Sequence, residues 1–396
     1  VRRHIDIAVV TLAGAVLIGL AMLPGPAAAL ELRTVPSEHV YVNAANPGAS
    51  QFDAVIQAIG VFNDGAEVVT IEAVDIDLMA GGRSFLTKRV DPALFGRHTG
   101  FIGGMIARGG ADSFVGGVLS NSEGLAGFFG DDVALSRESS IAPGAAVILV
   151  RQFLAFDQIP ETVRVTVRAV STNGDAQLAS IDLAVNAPDP ARVYPMPLRG
   201  AWLLRAIPLV TSHHRLVPST EFAVDFFKVD GEGRIHGDDP ADQTDYFGYG
   251  EPVHAIAAGN VVQVINGSAE DAAFRVRGED EDGLAYNARM AERFGADQDA
   301  TDLASVAGNI IIIQQDDGLY AAYGHLAPSS VLVTEGTRVE AGQEIAAVGG
   351  TGEGNRTVHL HIQLNEGPDT LYAQGVPLHF AEEGRDFDTG RFIQSN

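Results

Sequence analysis

Val358-His359-Leu360-His361-Ile362 is the stretch whose reading decides the C-terminal half of this chain. In a β-strand, side chains two apart share a face, so His359 and His361 project together while Val358, Leu360 and Ile362 fill the other side. Two imidazoles on one surface suit one metal ligand beside one catalytic base. By itself an HxH pair is weak evidence, so the search moves outward for partners.

Upstream, Glu221-Phe222-Ala223-Val224-Asp225-Phe226-Phe227 is an apolar run of strand character interrupted by a carboxylate. Burying Asp225 in such a run is costly unless it is paired or bound to a metal; the alternative is an edge strand with Asp225 in water. His213-His214 lies 12 and 11 positions before Asp225 and supplies a further candidate ligand. His325, in Tyr320-Ala321-Ala322-Tyr323-Gly324-His325-Leu326, ends a strand that follows the apolar Asn309 to Ile313. Taken singly, each is a commonplace residue. Together they give an Asp and several histidines in one domain, and a catalytic zinc takes three N/O ligands and keeps a position for water.

Several separate segments resemble the lysostaphin/LytM-type zinc metallopeptidases, a family with the duplicated-hybrid-motif fold. They are Ala223-Val224-Asp225-Phe226, Gly248-Tyr249-Gly250-Glu251-Pro252-Val253-His254-Ala255, Tyr323-Gly324-His325-Leu326, Val339-Glu340-Ala341-Gly342-Gln343, Gly349-Gly350-Thr351-Gly352 and His359-Leu360-His361, in family order between about Pro197 and Leu364. The resemblance implies zinc ligands at His214, Asp225 and His361. It implies that His325 and His359 flank the attacking water and the developing oxyanion, one as base and one as charge stabiliser, in an order the sequence leaves open. It implies an endopeptidase acting on peptide bonds of bacterial peptidoglycan. Many members place the first histidine four positions before the aspartate; the wider gap here leaves His213 and His214 as alternatives, with His214 favoured. A catalytically inactive LytM-like module that binds and activates a separate wall hydrolase is the alternative. Such modules lose metal ligands, whereas every ligand type is present here.

Other motifs point nowhere. His236-Gly237-Asp238-Asp239 reads as a solvated acidic loop and His254 as structural. Gly349 to Gly354 lacks the Lys-Ser/Thr of a phosphate loop and reads as a tight connection between strands. A carrier-type barrel-sandwich needs a lysine at a hairpin tip, and Val339-Glu340-Ala341-Gly342 has none. There is no cysteine, hence no disulfide and no thiolate site.

N-terminal to the linker Asn186-Ala187-Pro188-Asp189-Pro190, the pattern is again strand-rich. Val74, Ile76 and Leu78 alternate with Asp75 and Asp77; Val163, Val165 and Val167 alternate with polar residues; Ala179, Ile181 and Leu183 form a return strand after an Asn173-Gly174 hairpin with positive φ at both turn residues. The expected fold is mainly β: an immunoglobulin-like sandwich over 30–187, then a LytM-type antiparallel sheet domain over 188–396 with a partly helical acidic insertion at about 268–307, where Leu284 to Phe294 suits an amphipathic helix. Phe95 to Gly130, rich in glycine, is expected to hold a short helix and a loop.

Arg2 and Arg3, the apolar run Ile5 to Leu23, and Ala27-Ala28-Ala29 after Pro24-Gly25-Pro26 read as a secretory signal peptide over 1–29, cut near Ala29. The expectation is an exported protein of the periplasm or cell envelope, or secreted, without stable membrane insertion after cleavage. Its net charge of −25 excludes nucleic acid and anionic membranes as partners. Peptide or sugar substrates remain open on charge alone; the resemblance implies a peptidoglycan peptide, and the N-terminal domain is the expected place for an envelope protein partner.

Overall fold

The computed structural model describes residues 30–44, 49–106, 124–130, 133–205, 208, 212–270, 277, 278, 280–286, 288, 289, 302–352, 357–381 and 392–395. The signal peptide expected over 1–29 lies outside them. Among the described residues no helix is long and apolar enough to cross a membrane.

The chain is mainly β and its apolar residues divide at the linker. One sheet of the N-terminal half runs Leu30–Val35, Phe52–Asn63, Ala145–Phe156, Ala134–Leu135, with Asn43–Ala44 paired to the second strand. The other runs His39–Tyr41, Ala176–Asn186, Thr162–Ser171, Val69–Ala80, Arg83–Val90, with Ser140–Ile141 on Val69–Ala80. Ile56, Ile59 and Val61 of the first sheet and Val74, Ile76, Val163 and Val165 of the second share one core, as their alternation requires. The hairpin pairs Val163 with Leu183, Val165 with Ile181 and Val167 with Ala179. Its turn differs from expectation: Gly174 has φ 87° and Asn173 is not left-handed. Gly174 N–H donates to the Ser171 carbonyl at 2.9 Å, so an ordinary turn comes first and one left-handed glycine restores the strand twist. The glycine-rich stretch begins with a 15-residue helix, Pro92–Ile106, longer than expected, which buries Phe95 and Ile102.

The C-terminal half is built on one eight-stranded antiparallel sheet. Its order is Arg338–Val339, Gly259–Ile265, Asn309–Gln315, Tyr320–Leu326, Leu360–Asn365, Val224–Lys228, Gly200–Arg205, Phe392–Ser395. One face carries the core, with Val224, Phe226, Ile311, Ile313, Tyr323, Leu360 and Ile362, over which the small sheet of Pro252–His254 and Glu344–Ala347 packs. The opposite face has only a small apolar cluster around Ile310, Ile312 and Ala322. Asn309–Gln315 is therefore buried on both sides, which accounts for its unbroken apolar run. The same opposite face, one strand further along, carries the polar residues described next.

Candidate metal centre

Strand register brings the chemistry together. Asp225 lies opposite His361 on one side, and Gly324 lies opposite His361 on the other. Because Val224 and Phe226 point into the core, Asp225 points out of the opposite face, yet it remains 4% exposed. It is not on an edge. His361 Nδ1 stands 3.0 Å from Asp225 Oδ1, His359 Nε2 3.5 Å from the same oxygen, and His214 Nε2 3.6 Å from Oδ2. The His325 ring lies 4.8 Å from His359 and 5.9 Å from His361, centroid to centroid. All five residues expected from sequence thus gather in one place.

Each imidazole is fixed by a hydrogen bond on its far side. His214 Nδ1 donates to the Ala223 carbonyl at 3.3 Å, His359 Nδ1 to Thr357 at 3.0 Å and His325 Nδ1 to Thr351 at 2.8 Å. His361 is held the other way round. Its Nε2 donates to Gln363 Oε1 at 2.8 Å, and the Gln363 amide nitrogen is committed to the Thr370 carbonyl at 2.7 Å and to Asn365 Oδ1 at 2.8 Å. The Gln363 oxygen must therefore face His361, which must donate, which turns the Nδ1 lone pair of His361 towards Asp225.

Three nitrogen lone pairs then converge on a buried carboxylate. Such an arrangement is repulsive until a cation sits among the groups. Among the described residues, every ion-pair partner of Asp225 is a histidine, and no Lys or Arg reaches it. Burial pushes the Asp225 carboxyl up, but positive charge on the imidazoles around it, His214 and His359 first, brings it well below its usual value. A divalent ion supplies that charge without protonating the rings. One Asp oxygen with imidazole nitrogens is also the donor set of a catalytic zinc site, so the residues fit the metal. His361 is raised: burial opposes its charged form, and the negative charge of Asp225 beside it outweighs that. His325 is lowered well below its usual value by burial, then by charge at His359 and His361.

His213 also offers a ligand atom: the donor atoms of His213, His214 and Asp225 all lie within 4.8 Å of one another. The two histidines differ in setting. His214 is buried on a single 3-10 turn, and His213 is exposed with its ring 4.2 Å from that of His214.

The wall beside His325 is a tight polar knot. His325 itself has φ 60°, a left-handed backbone that a non-glycine residue adopts only under constraint. Asn309 N–H donates to Thr351 Oγ1, and Thr351 Oγ1 donates to the Leu326 carbonyl, each at 2.8 Å. A Cβ at Gly308 would run into Thr351 and Gly352, so glycine is needed where these backbones touch. His359 stacks on Phe227, centroids 4.8 Å apart and planes 15° apart. The start of the expected insertion reaches the same rim: Glu270 accepts from Gly350 N–H at 3.0 Å and from Tyr249 Oη at 3.2 Å. Residues 283–286, 288 and 289 are helical, and the rest of Leu284 to Phe294 lies outside the described residues. His236 and His254 stand apart, their Nδ1 atoms on the Gly237 and Pro197 carbonyls.

Gln363 and Thr351 were missed in the sequence. The signal for Gln363 was available: it continues the i, i+2 face of His359 and His361, and a polar residue there needs a partner. Thr351 reads as one more residue of a glycine-rich turn.

The sequence model described as "Peptidase family M23" matches residues 296–374, which include His325, His359 and His361 but neither His214 nor Asp225. A curated relative, lipoprotein NlpD of Yersinia enterocolitica, is 41% identical over 56 residues, 14% of this chain and 56% of its own. The chain thus spans little more than half the length of that relative. Among solved structures, the catalytic domain of lysostaphin from Staphylococcus simulans is 21% identical, covering 45% of this chain and 88% of its own, with a TM-score of 0.23. The catalytic domain of the prophage-encoded M23 protein EnpA from Enterococcus faecalis is 17% identical, covering 48% and 91%, with a TM-score of 0.24. At those TM-scores the fold argument rests on strand order and on the family match. Residues 296–374 thus match peptidase family M23, in line with the lysostaphin/LytM-type resemblance of the motifs around them.

Proposed function

We propose that this domain is a zinc-dependent endopeptidase that cuts peptide bonds in bacterial peptidoglycan, with His214, Asp225 and His361 holding the metal. The observation that carries this reading is the convergence of fixed imidazole lone pairs on a buried Asp225 that no Lys or Arg among the described residues reaches. A zinc ion bound there supplies Lewis acidity and lowers the pKa of water to about 7.

The chain's own residues do the rest. Asp225, held between strands, sets the charge of the site. Gln363 and the Ala223 carbonyl keep His361 and His214 in the tautomers that present a lone pair. His325 has its Nδ1 committed to Thr351 and is held neutral by burial, which leaves Nε2 to take a proton from the attacking water. His359, stacked on Phe227, presents its second nitrogen beside Asp225 and, when that nitrogen carries a proton, stabilises charge on the substrate carbonyl oxygen. The two sheets over 30–187 form an immunoglobulin-like module, and the chain is exported to the cell envelope, where its substrate lies.

Purified peptidoglycan incubated with the chain should release new amino groups, and His359→Ala should abolish the release. A folded wild type that loads zinc and releases nothing, yet stimulates a separate wall hydrolase, would establish the regulatory module instead.

A further inference from the structure

We infer that the N-terminal sandwich is a working part of the metal centre: Asp53 and Gln57 anchor, through Arg215, the turn that presents His213 and His214. This rests on the zinc reading above. Arg215 follows His214 directly and is fully buried, a costly place for a guanidinium unless carboxylates surround it. It has two. Its Nη1 donates to Glu221 Oε1 at 2.8 Å within its own domain, and its Nη2 is bonded to Asp53 of the N-terminal sandwich. Gln57, two turns of the pleat along the same strand and also fully buried, donates from Nε2 to the Arg215 backbone carbonyl at 3.0 Å and to Glu221 at 3.4 Å. Asn43 completes the joint, donating to Asp53 at 2.8 Å and to the Pro208 carbonyl at 2.7 Å.

Both the side chain and the main chain of the residue after His214 are therefore held from the other domain. Within its own domain the turn is also tied by His214 Nδ1 on the Ala223 carbonyl and by His214 N–H on Ser212 Oγ, each at 3.3 Å. It is one 3-10 turn at His214–Leu216, closed by Thr220 Oγ1 on the His214 carbonyl at 3.2 Å, with no regular strand of its own. A ligand carried on so short a turn is oriented by what packs against it.

The experiment uses the full chain, with zinc affinity read by competition against a chromophoric chelator and backbone hydrogen exchange at residues 212–217 read on the zinc-free protein. Asp53→Asn should weaken zinc at least about tenfold and speed exchange in the turn, and Asp53→Glu should recover part of both. Asp182→Asn breaks an exposed pair with Arg164 in the same sandwich and should change neither. Should Asp53→Asn fail to fold, Gln57→Leu removes only the bonds from Gln57 and is read the same way. Wild-type affinity and unchanged exchange in a folded Asp53→Asn or Gln57→Leu would overturn the inference. If the wild type binds no zinc, the metal reading fails on its own, and the exchange measurement still decides whether the sandwich holds the turn.

Discussion

Asp75 and Asp225 are both buried aspartates in strands, one in each half of the molecule, and they are kept charged in different ways. Asp75 sits on the outer face of its sheet, where its alternation with Val74 and Ile76 puts it. It is 2% exposed because Arg89 and Arg168 from the neighbouring strands lie over it. Arg89 alone makes two bonds, at 2.6 and 2.9 Å. The chain has supplied its own cations. Around Asp225 it has supplied imidazoles, each turned so that a lone pair faces the carboxylate. The first arrangement is complete as it stands; the second, on the function proposed above, would be completed by an ion. The comparison separates a structural carboxylate from a functional one at equal burial.

The largest effect should come from Asp225→Ala. It removes the charge that binds the metal, and hydrolysis of peptidoglycan should fall by roughly a thousandfold or more, since each 1.36 kcal/mol lost from transition-state stabilisation is tenfold in rate. Asp75→Ala should leave turnover unchanged. An Asp75 variant that folds normally and loses activity would break the comparison.

Gln363→Leu comes next. It leaves every ligand in place but frees the His361 ring to rotate or change tautomer, and loss of such an outer partner typically costs about 10–100-fold in metal affinity. Chelator competition measures it. Affinity equal to wild type would mean that Asp225 alone orients His361.

A smaller effect is expected at Asp75 itself. Asp75→Asn should cost about 1–2 kcal/mol in urea or thermal unfolding, the usual worth of hydrogen bonds to a charged group, because both arginines can turn to water once it is gone. The sign with pH follows from its pKa. The Arg89 hydrogen bond holds the folded carboxyl below its ordinary 3.8. The contribution is therefore full above pH 3.8 and is lost as pH falls through the lowered folded value. The Asn variant should lack that part of the acid dependence. Smallest of all, Arg164→Ala breaks an exposed, solvent-screened pair with Asp182 and should leave the unfolding midpoint unchanged within the error of the measurement.

The sequence carried the site further than its surroundings. The HxH alternation, the carboxylate inside an apolar run and the family motifs were enough to name five residues that the fold gathers. Alternation also picked out Val163, Val165 and Val167 and the return-strand residues Ala179, Ile181 and Leu183, which the fold pairs with them. What it could not carry were contacts between residues far apart in the chain. Arg215 reads as one more surface arginine until Asp53, 162 positions earlier, is seen against it. Asp75 reads as a surface residue until two arginines close over it. Gln363 reads as filler on a polar face until the Thr370 carbonyl fixes its amide. Turn detail failed for a local reason: Asn-Gly suits a two-residue hairpin, and here the chain uses a longer loop in which only Gly174 is left-handed.

The most direct test of the central claim is the metal content of the purified full chain by elemental analysis, wild type beside Asp225→Ala and Asp75→Ala. The account predicts about one zinc per chain in the wild type and in Asp75→Ala, as one closed set of ligands implies, and none in Asp225→Ala. A wild type that takes up no zinc on reconstitution, or an Asp225→Ala protein that keeps it, would contradict the account.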